Sequence, residues 1–362
     1  MLIGKIKFIY FRAFILCVLS SSFAFAQSGG TFAIKQSVVG GGTSEQNAGG
    51  QFRVNGTIGQ QGTNVAASPS FSAFGGFWAT RIRGRNVIAD FDGDDKTDIS
   101  AFRPSDGTWY YLNSLNGAFA TASFGIGTDL IAPADFDGDG KTDIAVFRPS
   151  NGVWYYLKSS NNAFAAVTWG TNGDKPLPGD FDGDGRAEFC VYRPSNGVWY
   201  HNRTSDNSFV SVSFGIAEDV PVLADFDGDT KADIAVWRPS NGVWYSLNST
   251  NGVFVAVSFG TTGDKPVPGD FDGDGKTDQA VFRPGDSTWY WRLSASGGSS
   301  GLSFGIGTDI PAAGDFDGDG LTDPAVFRPS DGRWYFQRST AGFGTVSFGT
   351  NGDKPVPGAF VP

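Results

Sequence analysis

The sequence predicts an all-β protein, a β-propeller of four-stranded blades, from three signatures that recur in phase. A Trp-Tyr pair and an Arg-Pro pair return every 45 residues in six copies, as at Trp154-Tyr155 and Arg148-Pro149. An Asp-Phe-Asp-Gly-Asp run keeps the same spacing and starts at Asp90, Asp135, Asp180, Asp225, Asp270 and Asp315. Units of this length with four strands each are typical of propeller blades, and a solenoid of stacked sheets is the alternative.

One repeat divides into four strand-sized pieces, as residues 261–305 illustrate. The pieces are Lys265 to Phe271, Asp278 to Arg283, Thr288 to Leu293 and Gly301 to Phe304. An acidic loop separates the first two pieces. In repeats two to four an Asn-Gly pair separates the second piece from the third, and that dipeptide between apolar runs predicts a tight hairpin.

The number of blades is left open between seven and six. Six repeats supply 24 strands, Pro355 to Phe360 matches the first strand of a repeat and makes 25, and residues 31–82 offer three more. A ring must close without exposed strand edges, so this count favours a seventh, composite blade built from both ends of the chain. The alternative is six blades with residues 27–85 as a separate Gly-rich β module.

The N-terminus has the pattern of a secretory signal peptide over residues 1–26. Basic residues from Lys5 to Arg12 precede the apolar run Ala13 to Leu19, and Ala24-Phe25-Ala26 fits a cleavage site. An uncleaved anchor is the alternative reading. No other stretch is apolar enough to span a bilayer, so we expect a mature chain without a transmembrane segment. The predicted location is secreted, extracellular or cell-surface, with the periplasm as another compartment.

Charge and composition argue against several classes of function. Without the leader, 24 basic residues face 37 acidic ones, a charge of −13, which excludes a nucleic-acid backbone as partner. The chain has a single histidine, His201, expected to be a partly exposed strand residue rather than a general base. Cys190 is expected to be a small buried strand residue. No catalytic constellation is visible, so we do not expect an enzyme.

The six acidic loops have the spacing of a cation site. In the second, Asp135, Asp137, Asp139 and Asp143 occupy positions 1, 3, 5 and 9, and the glycine at position 6 allows a sharp turn. Calcium takes six to eight hard oxygen ligands, which carboxylates and a position-7 carbonyl can supply. Position 12 is apolar, so these are hairpin loops rather than EF-hands. Four close carboxylates would otherwise repel one another.

We therefore predict up to six Ca²⁺ ions, one per loop. The predicted ligands are Asp90, Asp92, Asp94 and Asp98 in loop one; Asp135, Asp137, Asp139 and Asp143 in loop two; Asp180, Asp182, Asp184 and Glu188 in loop three; Asp225, Asp227, Asp229 and Asp233 in loop four; Asp270, Asp272, Asp274 and Asp278 in loop five; and Asp315, Asp317, Asp319 and Asp323 in loop six. At position 6, where a left-handed backbone is expected, loop one has Asp95 and loop four has Thr230. Loop four should therefore be the weakest site.

At these residues the chain resembles FG-GAP repeats, also called VCBS-type repeats, which occur in integrin α-subunit propellers and in secreted bacterial proteins. Phe259-Gly260 fits the Phe-Gly element, and Gly269 to Asp278 fits the metal loop. Phe282-Arg283-Pro284 departs from the Gly-Ala-Pro element. The resemblance covers residues 86–362 and implies a propeller with calcium in the loop between the first two strands of several blades. Residues 27–85 also resemble a Gly-rich module that often heads secreted bacterial proteins.

The first functional hypothesis is a secreted, monomeric, calcium-binding propeller that serves as a binding or adhesion module for a protein or glycan ligand, with structural calcium. The repeated Trp-Tyr and Arg-Pro pairs are interpreted as packing groups between blades, although rim aromatics can also stack on sugars. A multivalent carbohydrate-binding lectin is therefore one alternative. A propeller lyase or hydrolase is the other.

Overall fold

The structure is a computed structural model that describes residues 87–358 and four short strands nearer the N-terminus. Those strands are Ser28–Gly29, Phe32–Ala33, Ala66–Ser68 and Phe71–Ala73. They form two antiparallel pairs. The chain divides into two compact units, residues 1–82 and 83–362. The predicted signal peptide, residues 1–26, lies outside the described residues, so its assignment stays a prediction.

Residues 87–358 form six four-stranded antiparallel sheets, the blades of a propeller, with sequential strands as neighbours within each sheet. The strands are Lys354–Pro355, Ile99–Arg103, Thr108–Leu112 and Phe119–Ser123 in blade one; Leu130–Ile131, Ile144–Arg148, Val153–Leu157 and Phe164–Thr168 in blade two; and Lys175–Pro176, Cys190–Arg193, Val198–Asn202 and Phe209–Ser213 in blade three. They are Val220–Val222, Ile234–Arg238, Val243–Leu247 and Phe254–Ser258 in blade four; Lys265–Pro266, Gln279–Arg283, Thr288–Arg292 and Ser299–Ser303 in blade five; and Ile310–Pro311, Ala325–Arg328, Arg333–Arg338 and Gly342–Ser347 in blade six.

Burial changes from strand to strand across each blade. The second strand is buried on both faces, as in Ile144–Arg148, because the neighbouring blades cover it from both sides. The fourth strand alternates between exposed and half-buried residues, as in Phe164–Thr168. The hairpin at Asn151-Gly152 needs its glycine, since a Cβ on Gly152 would stand 2.3 Å from the carbonyl oxygen of Gly170. The predicted strand order and hairpins are thus confirmed.

The hydrophobic core lies between successive blades. One cluster combines Phe147 and Trp154 of blade two with Phe189 and Val191 of blade three. The Trp154 indole is fully buried and donates a hydrogen bond to the carbonyl oxygen of Trp169 over 2.7 Å. Each blade therefore covers the apolar face of its neighbour, which is the packing role expected of the repeated tryptophans.

The repeated arginine is held by an acid and an aromatic ring. Arg148 forms a two-pronged ion pair with buried Asp129, with Nε 2.8 Å from Oδ1 and Nη2 2.9 Å from Oδ2. Its guanidinium carbon lies 4.6 Å from the ring centre of Tyr155. The same arrangement occurs in every blade. The repeated arginine and tyrosine therefore contact each other within one blade, a contact that the sequence analysis did not predict.

The C-terminal strand closes the ring within blade one. Lys354 and Pro355 pair with Phe102 and Ala101, and Asp353 forms the two-pronged ion pair with Arg103. The seventh blade is not confirmed, and the six-blade alternative describes the ring. The ring has 24 strands, one fewer than the 25 counted from the six repeats and the C-terminal segment. The chain just before Asp90 forms no first strand in blade one, and the C-terminal strand takes that place.

Backbone hydrogen bonds between acidic loops complete the closure. Thr142 N donates to Asp90 O over 2.6 Å, linking loop two to loop one, and Thr97 N donates to Asp315 O over 2.7 Å, linking loop one to loop six. Equivalent bonds of 2.6–2.7 Å join the four remaining neighbours. The ring is therefore continuous through all six blades.

We expect a chain of residues 83–362 to fold without residues 27–82. The physical reason is that all 24 blade strands, and the Arg103–Asp353 pair, lie in this unit. Size-exclusion chromatography should show a soluble monomer. Its melting temperature should lie close to that of the chain beginning at Gln27.

The matched control ends the same unit at Thr350. It loses Asp353 and the strand Lys354–Pro355, which leaves blade one with an unpaired strand edge and Arg103 without its carboxylate. This variant should aggregate or lose its cooperative melt. Aggregation of the 83–362 chain instead would mean that residues 27–82 are part of the ring.

Candidate metal centres

The first aspartate curls each acidic loop, which joins the first two strands of its blade. In loop two, Asp135 Oδ1 accepts a hydrogen bond from Gly138 N and Oδ2 accepts one from Gly140 N, both over 2.6 Å. Asp139 Oδ1 in turn accepts a bond from Lys141 N over 2.9 Å. The carboxylates thereby organise the backbone of their own loop, which brings the side chains at positions 1 and 3 close together.

The ninth residue ties the loop to the turn between the third and fourth strands. Asp143 is buried, and its Oδ2 accepts a hydrogen bond from Phe136 N over 2.9 Å, while Oδ1 accepts one from Ser159 N over 2.6 Å. Glu188 does the same in loop three, toward Phe181 N and Thr204 N. Position 9 therefore fixes where the loop lies within its blade.

A hydroxyl group across the blade was missed by sequence reasoning. Ser159 Oγ donates a hydrogen bond to Asp139 Oδ1 over 2.9 Å. The corresponding residues are Ser114, Ser159, Thr204, Ser249, Ser294 and Ser339, and each contacts the fifth-position carboxylate of its loop. The signal was present in the sequence as a Ser or Thr 16 residues after position 9 in every repeat.

The structure gathers the predicted carboxylates in groups. In each group one oxygen per residue lies within 4.8 Å of the others, and the group could hold a metal ion. Loop three gathers all four of its predicted ligands. Five of the six groups are Asp90, Asp92 and Asp94; Asp135, Asp137 and Asp143; Asp180, Asp182, Asp184 and Glu188; Asp225, Asp227 and Asp229; and Asp270, Asp272 and Asp278.

Two loops hold a buried carboxylate oxygen without a partner. Oδ1 of Asp92 in loop one and Oδ1 of Asp317 in loop six are buried and accept no hydrogen bond. Oδ2 of Asp92 accepts a bond from Leu115 N over 3.1 Å, so the side chain is held in place while its second oxygen is unsatisfied. A buried carboxylate oxygen without a hydrogen bond is costly, and a bound metal ion would supply the partner that these residues lack.

Electrostatics point the same way. Burial raises the pKa of the Asp143 carboxyl to about 6, and the neighbouring Asp137 adds to the rise against hydrogen bonds that oppose it. Burial likewise raises the pKa of Asp98, Asp233 and Asp323 to about 6 and that of Glu188 to about 7. The folded loops therefore hold their negative charge at a cost that a bound cation would offset.

The repeat itself matches a known family. The FG-GAP-like repeat matches residues 90–146, 135–191, 180–236, 225–281 and 270–326, which together span more than half of the chain. The chain belongs to the FG-GAP-like repeat family. The resemblance found in the sequence is thus confirmed, and the acidic loops described above lie within the matched repeats. No curated protein matches the sequence.

Solved structures share only the fold with this FG-GAP-like protein. A streptogramin B lyase is 9% identical with a TM-score of 0.46, over 71% of this chain and 85% of that chain. Dihydro-heme d1 dehydrogenase NirN, in complex with DHE, is 15% identical with a TM-score of 0.37, over 68% of this chain and 52% of that chain. Apo AztD from Citrobacter koseri is 11% identical with a TM-score of 0.41, over 72% and 87%. At this distance none of them bears on function.

Blade three of the FG-GAP-like ring contains His201 and Cys190, the single histidine and the single cysteine of the predicted mature chain. His201 is only 5% exposed and stacks on Phe181 with ring centres 4.8 Å apart, so the expectation of a partly exposed histidine is wrong. Burial lowers the pKa of His201 to about 4. Cys190 is a buried strand residue, as predicted. Among the described residues, no helix has the length and apolar character required to cross a membrane.

The loops differ at position 6, as the sequence indicates. Thr230 has a φ of 72° and Asp95 a φ of 67°, whereas loop five has Gly275 with a φ of 85°. A left-handed backbone costs a non-glycine residue about 1–2 kcal/mol. Thr230 N still donates to Asp225 Oδ2 over 2.7 Å, so loop four keeps its shape at the expense of backbone strain.

We expect Thr230→Gly to raise the free energy of unfolding by about 1 kcal/mol, because glycine removes the strain in the left-handed region. The reciprocal control is Gly275→Thr. A Cβ on Gly275 meets no atom within 4 Å, so this substitution adds backbone strain without a steric clash. It should lower the free energy of unfolding by a similar amount, measured by denaturant titration. Equal stability of both variants and the parent would show that φ at position 6 does not limit these loops.

Proposed function

We propose that this FG-GAP-like repeat protein is a secreted, calcium-binding propeller that serves as a binding or adhesion module, with calcium in a structural role. The observation that carries the calcium assignment is the unpartnered, buried Oδ1 of Asp92 and of Asp317 within curled acidic loops. Calcium would supply the charge that these oxygens lack. The proposed ligands are the 24 carboxylates named above.

The donor set favours calcium among the common metal ions. The gathered groups offer only carboxylate oxygens, with no nitrogen or sulfur donor, which disfavours zinc. Hydroxyl groups such as Ser159 Oγ lie beside the same carboxylates and are themselves hard oxygen donors. Calcium accepts a larger and less regular oxygen shell than magnesium, and a loop of this kind can provide it.

A binding role is favoured over catalysis by the uniformity of the blades. An enzyme site in a propeller is usually asymmetric, with polar residues that belong to a few blades. In residues 87–358 three side chains that break the pattern, Glu188, Cys190 and His201, are buried in blade three or beside its acidic loop, whereas Arg203 and Glu218 break it as exposed loop residues. We therefore propose a monomeric module outside the cytoplasmic membrane whose partner is a protein or a glycan.

A multivalent lectin is the second candidate, because a phenylalanine is exposed on the fourth strand in five of the six blades. These side chains are 57–64% exposed and are Phe119, Phe164, Phe209, Phe254 and Phe343. Phe164 stacks on Tyr155 with ring centres 6.2 Å apart and meets Phe124 of the preceding blade edge-on at 6.3 Å. A repeated exposed ring between blades is suited to stacking on a sugar, and repetition would supply avidity.

We expect chelation to lower the melting temperature of the mature protein. With site Kd values of roughly 10⁻⁴ to 10⁻³ M, millimolar calcium would contribute on the order of 0.4–1.4 kcal/mol per site. Thermal melts in EGTA and in excess calcium provide the measurement, and magnesium at the same concentration is the control. Superimposable melts would refute structural calcium.

A glycan array separates the two proposed kinds of partner. The matched variant replaces the exposed phenylalanines with serine, because blade five has Ser299 at that position and shows that the fold accepts it. A lectin would bind an array glycan, and the serine variant would lose that binding while its calcium-dependent melt stays unchanged. Retained glycan binding in the variant would mean that the sugar binds at another place on the protein. If the parent protein binds no glycan on the array, a protein partner is favoured.

A further inference from the structure

Asn-Gly pairs recur along this chain, and such pairs are prone to spontaneous deamidation. In that reaction the backbone nitrogen of the glycine attacks the side-chain carbonyl carbon of the asparagine, and glycine has no side chain to block the approach. Seven pairs lie within residues 87–358, and they begin at Asn116, Asn151, Asn172, Asn196, Asn241, Asn251 and Asn351. The dipeptide is the same in all seven, so the fold decides which of them can react.

Three of the pairs lie in the hairpins between the second and third strands and are held by three hydrogen bonds each. Asn151 Nδ2 donates to the hydroxyl of Tyr155 over 2.9 Å, and Asn151 Oδ1 accepts a bond from Val153 N over 3.1 Å. The N–H of Gly152 donates to Arg148 O over 2.9 Å. The corresponding bonds hold the pairs in blades three and four. In these hairpins the side chain is fixed and the attacking nitrogen is already engaged.

Two further pairs lie in turns between the third and fourth strands and are held by two bonds each. Asn116 Oδ1 accepts a hydrogen bond from Ala118 N over 2.8 Å, and Gly117 N donates to Asn113 O over 2.7 Å. The pair that begins at Asn251 has the same two bonds. The glycine nitrogen is therefore engaged in these turns as well.

The two remaining pairs, Asn172-Gly173 and Asn351-Gly352, have none of these bonds. Both are exposed and lie in loops that connect one blade to the next. Within residues 87–358 neither asparagine side chain takes part in a hydrogen bond, and neither glycine donates its N–H. A Cβ added to either glycine would meet no atom within 4 Å, so the space beside the reacting nitrogen is open.

A third loop of the same kind has a threonine in place of the asparagine. Thr262 precedes Gly263, and its Oγ1 donates a hydrogen bond to Pro239 O over 2.9 Å. Threonine has no carboxamide and cannot cyclise. The fold thus accepts at this position a residue that blocks the reaction, which supplies a matched replacement for the two asparagines.

We propose that Asn172 and Asn351 are sites of spontaneous deamidation in the folded protein. The nitrogen of Gly173 forms a bond to Cγ of Asn172, and the amide nitrogen leaves as ammonia with the proton that the glycine nitrogen loses. Water then opens the resulting succinimide at either carbonyl and yields aspartate or isoaspartate. The inference goes beyond the proposed function, because the reaction requires neither calcium nor a partner.

Deamidation of Asn351 would take place beside the closure of the ring. Thr350 N donates to Asp353 Oδ2 over 2.8 Å, and Asp353 N donates to Thr350 O over 3.1 Å, so the turn around Asn351 positions Asp353. Asp353 forms the ion pair with Arg103 next to the closing strand. Isoaspartate inserts a methylene into the main chain of this turn, and both products add a negative charge. We therefore expect the modification to weaken the attachment of the closing strand.

Peptide mapping by mass spectrometry tests the two sites on the full mature protein, stored in calcium at neutral pH. Deamidation replaces an amide with an acid, which changes the mass and the charge of the peptide. We expect Asn172 and Asn351 to convert about tenfold faster than the other five asparagines, since no hydrogen bond has to break first. In denaturant the seven rates should become similar. Asn172→Thr and Asn351→Thr copy Thr262 and should each remove one of the two signals.

Equal rates at all seven pairs in the folded protein, or faster conversion at Asn151 than at Asn172, would overturn the proposal. Thermal melts before and after storage test the effect on ring closure. The stored parent protein should melt at a lower temperature, and Asn351→Thr should prevent more of that loss than Asn172→Thr. If the two variants lose stability alike, the effect on ring closure is refuted, and the peptide map still decides the two sites.

Discussion

One backbone hydrogen bond links every acidic loop to the loop of the preceding blade, and the rest of the ring is arranged around it. The eighth residue of a loop donates its N–H to the carbonyl of the first aspartate of the loop before it, as Ala187 does to Asp135 over 2.7 Å. That aspartate also curls its own loop with its side chain. The same residue therefore joins the blades and shapes the acidic loop, so the candidate metal sites and the closure of the ring depend on the same aspartates.

The side chain at position 7 extends the contact between neighbouring loops. A Cβ on Gly93 would stand 3.0 Å from Cε of Lys141, and one on Gly318 would stand 2.5 Å from Cε of Lys96. The lysine stems thus lie against the preceding acidic loop. In loop six the residue is Leu321, which lies against Gly273 without bringing a positive charge. The sites are therefore built from the same parts but have unequal electrostatic surroundings.

The two ends of the ring differ in chemistry. One end concentrates carboxylates, and the unpartnered Oδ1 of Asp92 lies among them. The other end carries the arginine–aspartate ion pairs, whose charges cancel. This separation is possible because the strands of each blade run between the two ends and keep the groups apart.

The local architecture could be predicted from the sequence because each signal is contained within one repeat. The hairpin at Asn151-Gly152, the curled loop from Asp135 to Asp143 and the left-handed Thr230 all depend on residues close together in the chain. The buried tryptophans could be predicted as well, since a four-stranded blade must cover its neighbour with bulky side chains.

Features that depend on residues far apart in the chain were decided only by the tertiary structure. The number of blades was set by the pairing of Lys354 and Pro355 with the strand Ile99–Arg103, which lies near the start of the propeller in the sequence. A strand-like pattern does not name its partner, so the same C-terminal segment also suited a seventh blade. The unsatisfied Oδ1 of Asp317 likewise depends on burial, which only the packed ring creates.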